Sequence, residues 1–133
     1  MHEARRLLRP DGVALHLIDY TDHFCHLDSS IHWLNFLRYS DFMCSLIFGN
    51  RYIYMNRLRH ADQLALGRSA GFATETLQAE RDPAIGDDIA RGRVKLAERF
   101  RDKSVEILSI INAWVLYRPT ATARARGPHP SSP

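Results

Sequence analysis

Apolar and polar positions along the chain fall into short blocks. In residues 2–9, Ala4, Leu7 and Leu8 form an apolar stripe ringed by Glu3, Arg5, Arg6 and Arg9, the pattern of a helix end. Pro10 disfavours helical geometry in the residue before it, and Asp11-Gly12 is a turn signal. Residues 13–19 are almost continuously apolar, which predicts a strand covered on both faces in a mainly parallel sheet. Ser29 or Ser30 is placed to cap a helix over 29–48. Its apolar positions, from Ile31 and Trp33 to Ile47 and Phe48, reach much of the way round, so it is buried or lies over another apolar surface. Residues 51–59 are aromatic and basic and read as a loop. A short helix over 62–70 closes at Gly71, and 72–79 alternate as a strand. Asp87 or Asp88 starts a helix to about residue 102, 104–108 add a turn, and 110–117 form a third strand. The tail, 120–133, has little to anchor it and is expected to be disordered.

Composition changes this picture little. The chain has 133 residues, 45% of them apolar and 25% charged, the balance of one ordinary globular domain. A net charge of +3 without a dense basic and aromatic stripe makes nucleic acid an unlikely partner. Arg38 and Asp41 interrupt the most apolar stretch, so no membrane span is expected. The start resembles no signal peptide, and Cys25 and Cys44 have no metal-ligand spacing. The expected location is cytoplasmic.

The stretch EARRLLRPDG followed by an apolar strand resembles the approach to the fifth strand of class I S-adenosylmethionine-dependent methyltransferases, with Asp11 in place of a glycine. LALGRSAGF (64–72) is similar to the segment before that family's sixth strand, and AWVLYRP (113–119) to its seventh. The resemblance implies an α/β fold: the carboxyl-terminal part of a Rossmann-like methyltransferase sheet. Its strands lie near 13–19, 72–79 and 110–117, the last two antiparallel, with flanking helices. Residues 1–119 would form this partial domain, with a helical insertion near 29–48. The family's glycine-rich loop after the first strand and acidic residue after the second have no counterpart in the chain. The expectation is therefore a methyltransferase fragment that does not hold S-adenosylmethionine well alone and is inactive by itself. The alternative is a non-catalytic interaction module. The strand at 13–19 would expose a bare edge and invite self-association.

The candidate chemistry starts at LHLIDYTDHFCH (15–26). Ligands in open α/β sheets sit outside the carboxyl ends of strands. Tyr20, Asp22 and His23 would there face a small-molecule methyl acceptor, with Asp22 or His23 as general base and Tyr20 touching substrate. The competing reading is a polar turn in which Asp22 caps the backbone. A metal set of Asp22, His23, His26 and His32 is a weaker alternative. Within the strand, His16 reads as a hydrogen-bonded core residue. Asn56, Arg57 and Arg59, beside Tyr52 and Tyr54, would grip an acceptor carboxylate, phosphate or sulfate, or else form a solvated loop. Arg91, Arg93, Arg99 and Arg101 read as a solvated helix face.

Overall fold

Three strands form one sheet: Ala14–Asp19 (β1), Phe72–Arg81 (β2) and Ile110–Pro119 (β3). The computed structural model describes residues 1–48 and 56–120. Residues 49–55, with Tyr52 and Tyr54, and those from 121 lie outside them, so part of the expected loop at 51–59 and nearly all of the expected disordered tail fall outside the described residues. β3 is central and antiparallel to both neighbours, giving the order β1-β3-β2. β1 and β2 therefore run parallel to each other, and the chain between them crosses over β3. A register shift between Thr76 and Gln78 puts a bulge in β2 at Leu77. The expected strands are found, as is the antiparallel pairing of the last two. What stands as observed is a mixed α/β unit with a three-stranded sheet.

One face of the sheet is covered. His2–Leu7 (α1) and, after Asp41–Phe48 (α2), His60–Ser69 (α3) pack on it. Ile18, Phe72, Ala113, Val115 and Tyr117 form this core with Ala70, and Ala4, Leu8 and Leu64 pack against it. α3 comes so close at Gly67 that an added Cβ would lie 2.5 Å from the Tyr117 ring and 2.8 Å from Thr74 Cγ2. α3 ends before Gly71, whose φ of +85° only glycine adopts readily. Thr120 ties back to this turn, its N–H donating to the Gly71 carbonyl at 2.9 Å.

Among the described residues nothing covers the opposite face of the sheet. Leu15 and Leu17 are 52% and 56% exposed, and Trp114 beside Leu17 is 38% exposed. The expectation of a strand covered on both faces is therefore corrected: β1 is covered on the Ala14, His16 and Ile18 side alone. His16 stacks edge-on against Tyr117, 5.1 Å between centroids.

A second core caps the carboxyl ends of β1 and β2. Leu34, Phe36, Leu37, Ile85, Val94, Phe100, Leu108 and Ile111 build it from short pieces. Most come from a 3₁₀ turn, Asn35–Arg38, and from Ala84–Ala90 (α4), Glu98–Arg101 (α5) and Val105–Leu108 (α6), with Leu34 just before the turn, Val94 between α4 and α5, and Ile111 on β3. The single helix expected over 29–48 is not formed. Asp22 N–H takes the Trp33 carbonyl at 2.7 Å, Tyr39 is extended, and the buried Arg57 claims the carbonyls of Tyr39 and Ser40. A helix survives after Ser40, whose hydroxyl accepts from Met43 N–H at 3.2 Å. The helix expected from 87 or 88 to about 102 is likewise two, split at Gly92 with φ +67°. The four arginines expected on one solvated face consequently separate. Arg91 pairs with Asp87, Arg93 with Asp88 and Arg99 with Asp41. Among the described residues no helix is long and apolar enough to cross a membrane.

Gly67→Ala tests the close approach of α3. Helix propensity alone favours alanine by about 1 kcal/mol, whereas overpacking costs about 1–3 kcal/mol. Denaturant unfolding is expected to show net destabilisation; a stabilised variant would mean that α3 is not seated on Tyr117.

Candidate functional site at the mouth of strand β1

The polar crowd after β1 divides into two groups that face opposite ways. Tyr20, Asp22 and Arg59 point inward and are fully or almost fully buried. Asp19, His23 and His26 point outward.

Asp22 acts on the backbone. Its carboxylate accepts from Phe24 N–H at 3.0 Å, capping the 3₁₀ turn His23–His26, and from Asn35 Nδ2 at 3.2 Å. The second oxygen thus ties the β1 exit to the Asn35–Arg38 turn. Of the readings of Asp22 as base, capping residue or metal ligand, the geometry matches the capping turn.

Tyr20 and Arg59 belong to a buried polar cluster. Arg59 donates from Nη1 to the Tyr20 carbonyl at 2.6 Å, and from Nη2 to the carbonyls of Leu108 and Ile110 at 3.1 and 2.8 Å. Its own N–H donates to Asp62 Oδ2 at 3.0 Å at the start of α3. Burial pulls the guanidinium down to about 10, which leaves it charged at neutral pH. Tyr20 Oη lies 3.1 Å from His60 Nδ1, and His60 Nε2 lies 2.9 Å from Thr76 Oγ1. Burial raises the Tyr20 phenol above its ordinary value, so it stays protonated. His60 is lowered by burial first, then by Arg81 and Arg59. A neutral imidazole bridging two hydroxyls satisfies both ring nitrogens.

Asn56 Oδ1 accepts from Leu58 N–H at 3.0 Å, a local turn. Besides the Tyr39 and Ser40 carbonyls, Arg57 donates to Asp41 Oδ1 at 3.1 Å and lies 5.0 Å over the Phe100 ring. Asn56, Arg57 and Arg59 are neighbours in sequence, yet the hydrogen bonds they make serve three different structural tasks, while Nε of Arg57 and of Arg59 is buried without a partner among the described residues. His60 escaped the sequence reading; its position next to Arg59, before a helix pattern, carried no sign of the hydroxyls on either side.

The outward group is exposed. His23 Nε2 lies 3.3 Å and His26 Nε2 4.0 Å from Asp19 Oδ2, and Asp19 Oδ1 is held by Thr21 N–H at 2.8 Å. A carboxylate next to two imidazoles can orient a base or hold a proton. His32 lies elsewhere: its Nδ1 accepts from Leu34 N–H at 3.0 Å, so Nε2–H donates to Asp88 Oδ2 at 3.0 Å. Among the described residues no group of three His, Cys, Asp or Glu is arranged to hold a metal ion, so the four-residue metal set does not assemble there.

Two measurements check these assignments. Arg59→Lys keeps the charge but loses the planar fork. Stranded carbonyls cost about 1–3 kcal/mol each, so unfolding is expected at markedly lower denaturant; unchanged stability would free Arg59 for a ligand. His60, being lowered, resists the proton that the unfolded imidazole takes up near about 6.5. Its contribution to stability is present above that value and is lost as pH falls through the folded midpoint. A ring-proton NMR titration should place His60 below the ordinary value, and a midpoint at or above it would remove the buried bridge. Compared with known proteins, the chain matches no family model, no curated protein and no solved structure.

Proposed function

We propose that this chain is the carboxyl-terminal half of a class I S-adenosylmethionine-dependent methyltransferase domain and supplies the acceptor side of the site. The observation that carries the reading is the strand arrangement. The strand after RRLLRPDG pairs with the last strand, which runs antiparallel between it and the strand after AGF. The resemblance implies that same arrangement for the family's fifth, seventh and sixth strands.

The open face adds support. Side chains on it grade across the sheet: Leu15 and Leu17 on β1, Trp114 and Leu116 on β3, then Glu75, Gln78 and Glu80 on β2. The apolar side is the one toward the bare β1 edge. Backbone groups at that edge alternate, and since Tyr20 N–H bonds Ile111, those of Leu15, Leu17 and Asp19 point away from β3. A preceding half that pairs with β1 and covers Leu15 and Leu17 would satisfy both.

The residues present do not fit the cofactor. The described glycines with positive φ, Gly71 and Gly92, sit before β2 and after α4, and neither opens a helix from the end of a strand. No step through the cofactor is therefore assigned to this chain. On the acceptor side, Asp22 positions the turn. His23, oriented by Asp19, is the group we assign as base for the acceptor's proton. Free thiols at Cys25 and Cys44 fit a cytoplasmic setting. The second reading, an interaction module, rests on the same apolar face and edge.

Two experiments separate the readings. The chain fused to whatever in-frame segment is encoded upstream is titrated with S-adenosylmethionine by calorimetry. Saturable binding that the chain alone lacks supports the methyltransferase reading, and no binding by the fusion would overturn it. Light scattering of the chain alone is expected to show concentration-dependent association that Leu15→Lys with Leu17→Lys abolishes. A wild-type monomer at all concentrations would count against a sticky edge.

A further inference from the structure

A basic cavity of about 250 Å³ opens in the helical cap, lined by His32, Asn35, Arg38, Arg93, Val94 and Lys95. We propose that it is a subsite for one oxyanion group, a carboxylate or phosphate, of a small-molecule ligand. This deepens the acceptor-side reading and rests on it only for the ligand's role as acceptor.

Charge is the first support. Three permanent cations line the cavity, and two carboxylates bond its wall: the buried Asp22, through Asn35 Nδ2, and Asp88. The Asp88 carboxylate is already shared: Arg93 takes Oδ1 and His32 Nε2–H takes Oδ2. Arg93, then His32, hold it below the usual carboxylate range, so it stays ionised. Its charge is thus matched by Arg93, which leaves Arg38 and Lys95 in excess. Arg38 makes a long 3.4 Å contact to the neutral Asn35 Oδ1 and lies 5.6 Å from the centre of the Tyr39 ring. Neither Arg38 nor Lys95 has a carboxylate partner among the described residues.

Construction is the second support. Asp88 braces Arg93 and His32, and Leu34 N–H fixes the His32 tautomer. Asn35 is anchored through Nδ2 to the buried Asp22. Val94 is buried in the cap core. The walls are therefore fixed, while Arg38 and Lys95 remain exposed and without a carboxylate partner among the described residues. Guanidinium forks match the planar oxygen pair of a carboxylate or two oxygens of a phosphate. The volume suits a single charged group and falls short of a whole cofactor.

Location is the third. Asn35 links the cavity to Asp22, three residues beyond the end of β1, on the side of the sheet end where open α/β folds take ligands.

The test is a backbone-amide NMR titration of the full chain with two probes, inorganic phosphate and benzoate. Saturable shifts confined to amides near 32–38 and 93–95 are expected with at least one probe, and which one binds tells phosphate from carboxylate. Arg38→Ala with Lys95→Ala, both exposed, should weaken binding about tenfold or more, while Arg118→Ala should leave it unchanged. No saturable shift with either probe, shifts spread over all basic residues, or equal binding by the double variant would each overturn the proposal. No readout involves S-adenosylmethionine, so failure here leaves the methyltransferase reading standing, and a failed cofactor titration leaves this one standing.

Discussion

The Arg59 guanidinium takes a full charge into the interior and spends it on three backbone carbonyls. Those carbonyls belong to the end of β1, the end of α6 and the first residue of β3. Burying a charge is costly unless it is paired and hydrogen-bonded. Charge-assisted bonds and the Tyr20 ring, 5.3 Å from the guanidinium carbon, offset that cost. Because Asp62 holds the Arg59 N–H, the same residue fixes where α3 begins. Lys103 then bonds Asp62 at 2.8 Å and links that corner to the cap. One side chain thus sets the relation of the sheet, the covering helix and the helical cap.

The mouth of β1 takes its shape from this clamp. With the Tyr20 carbonyl held, its phenol turns inward to His60, and Asp22 turns inward to cap the next turn. Only Asp19, His23 and His26 remain outside. A cluster of five polar residues in sequence therefore becomes a buried brace and an exposed face. Asp22 also carries the position of β1 into the cap through Asn35, so the outward histidines and the basic cavity are referred to the same strand end.

The strands were legible because their signals are local. The apolar runs at 13–19 and 110–117 and the alternation at 72–79, each following a turn or a helix stop, need no knowledge of the rest of the fold. Where the reading failed, distant groups decide. The apolar residues 31–48 read as one helix, but Arg57 takes the Tyr39 and Ser40 carbonyls and Asp22 takes the Trp33 carbonyl. Periodicity has no access to such long-range donors. Arg59 was marked as a residue of interest for its chemical type, yet that type says nothing of whether a fork faces a ligand or three carbonyls. Neither Arg38, noted only as a charge within an apolar stretch, nor Lys95 was read as a site residue, since they lie 57 positions apart and only the cap brings them to one cavity.

The open sheet face explains why β1 could be misread as covered twice. Its sequence is apolar on both sides, and in the structure one of those sides is bare. On β2 the same face carries Glu75, Gln78 and Glu80, which suit water. A face selected only for solvent would not grade from leucine to glutamate across one sheet, and a face packed throughout would not end in carboxylates. The gradient therefore distinguishes an edge strand with an apolar outer face from an edge strand with a polar one. That asymmetry is a physical property of this chain, whatever its chemistry.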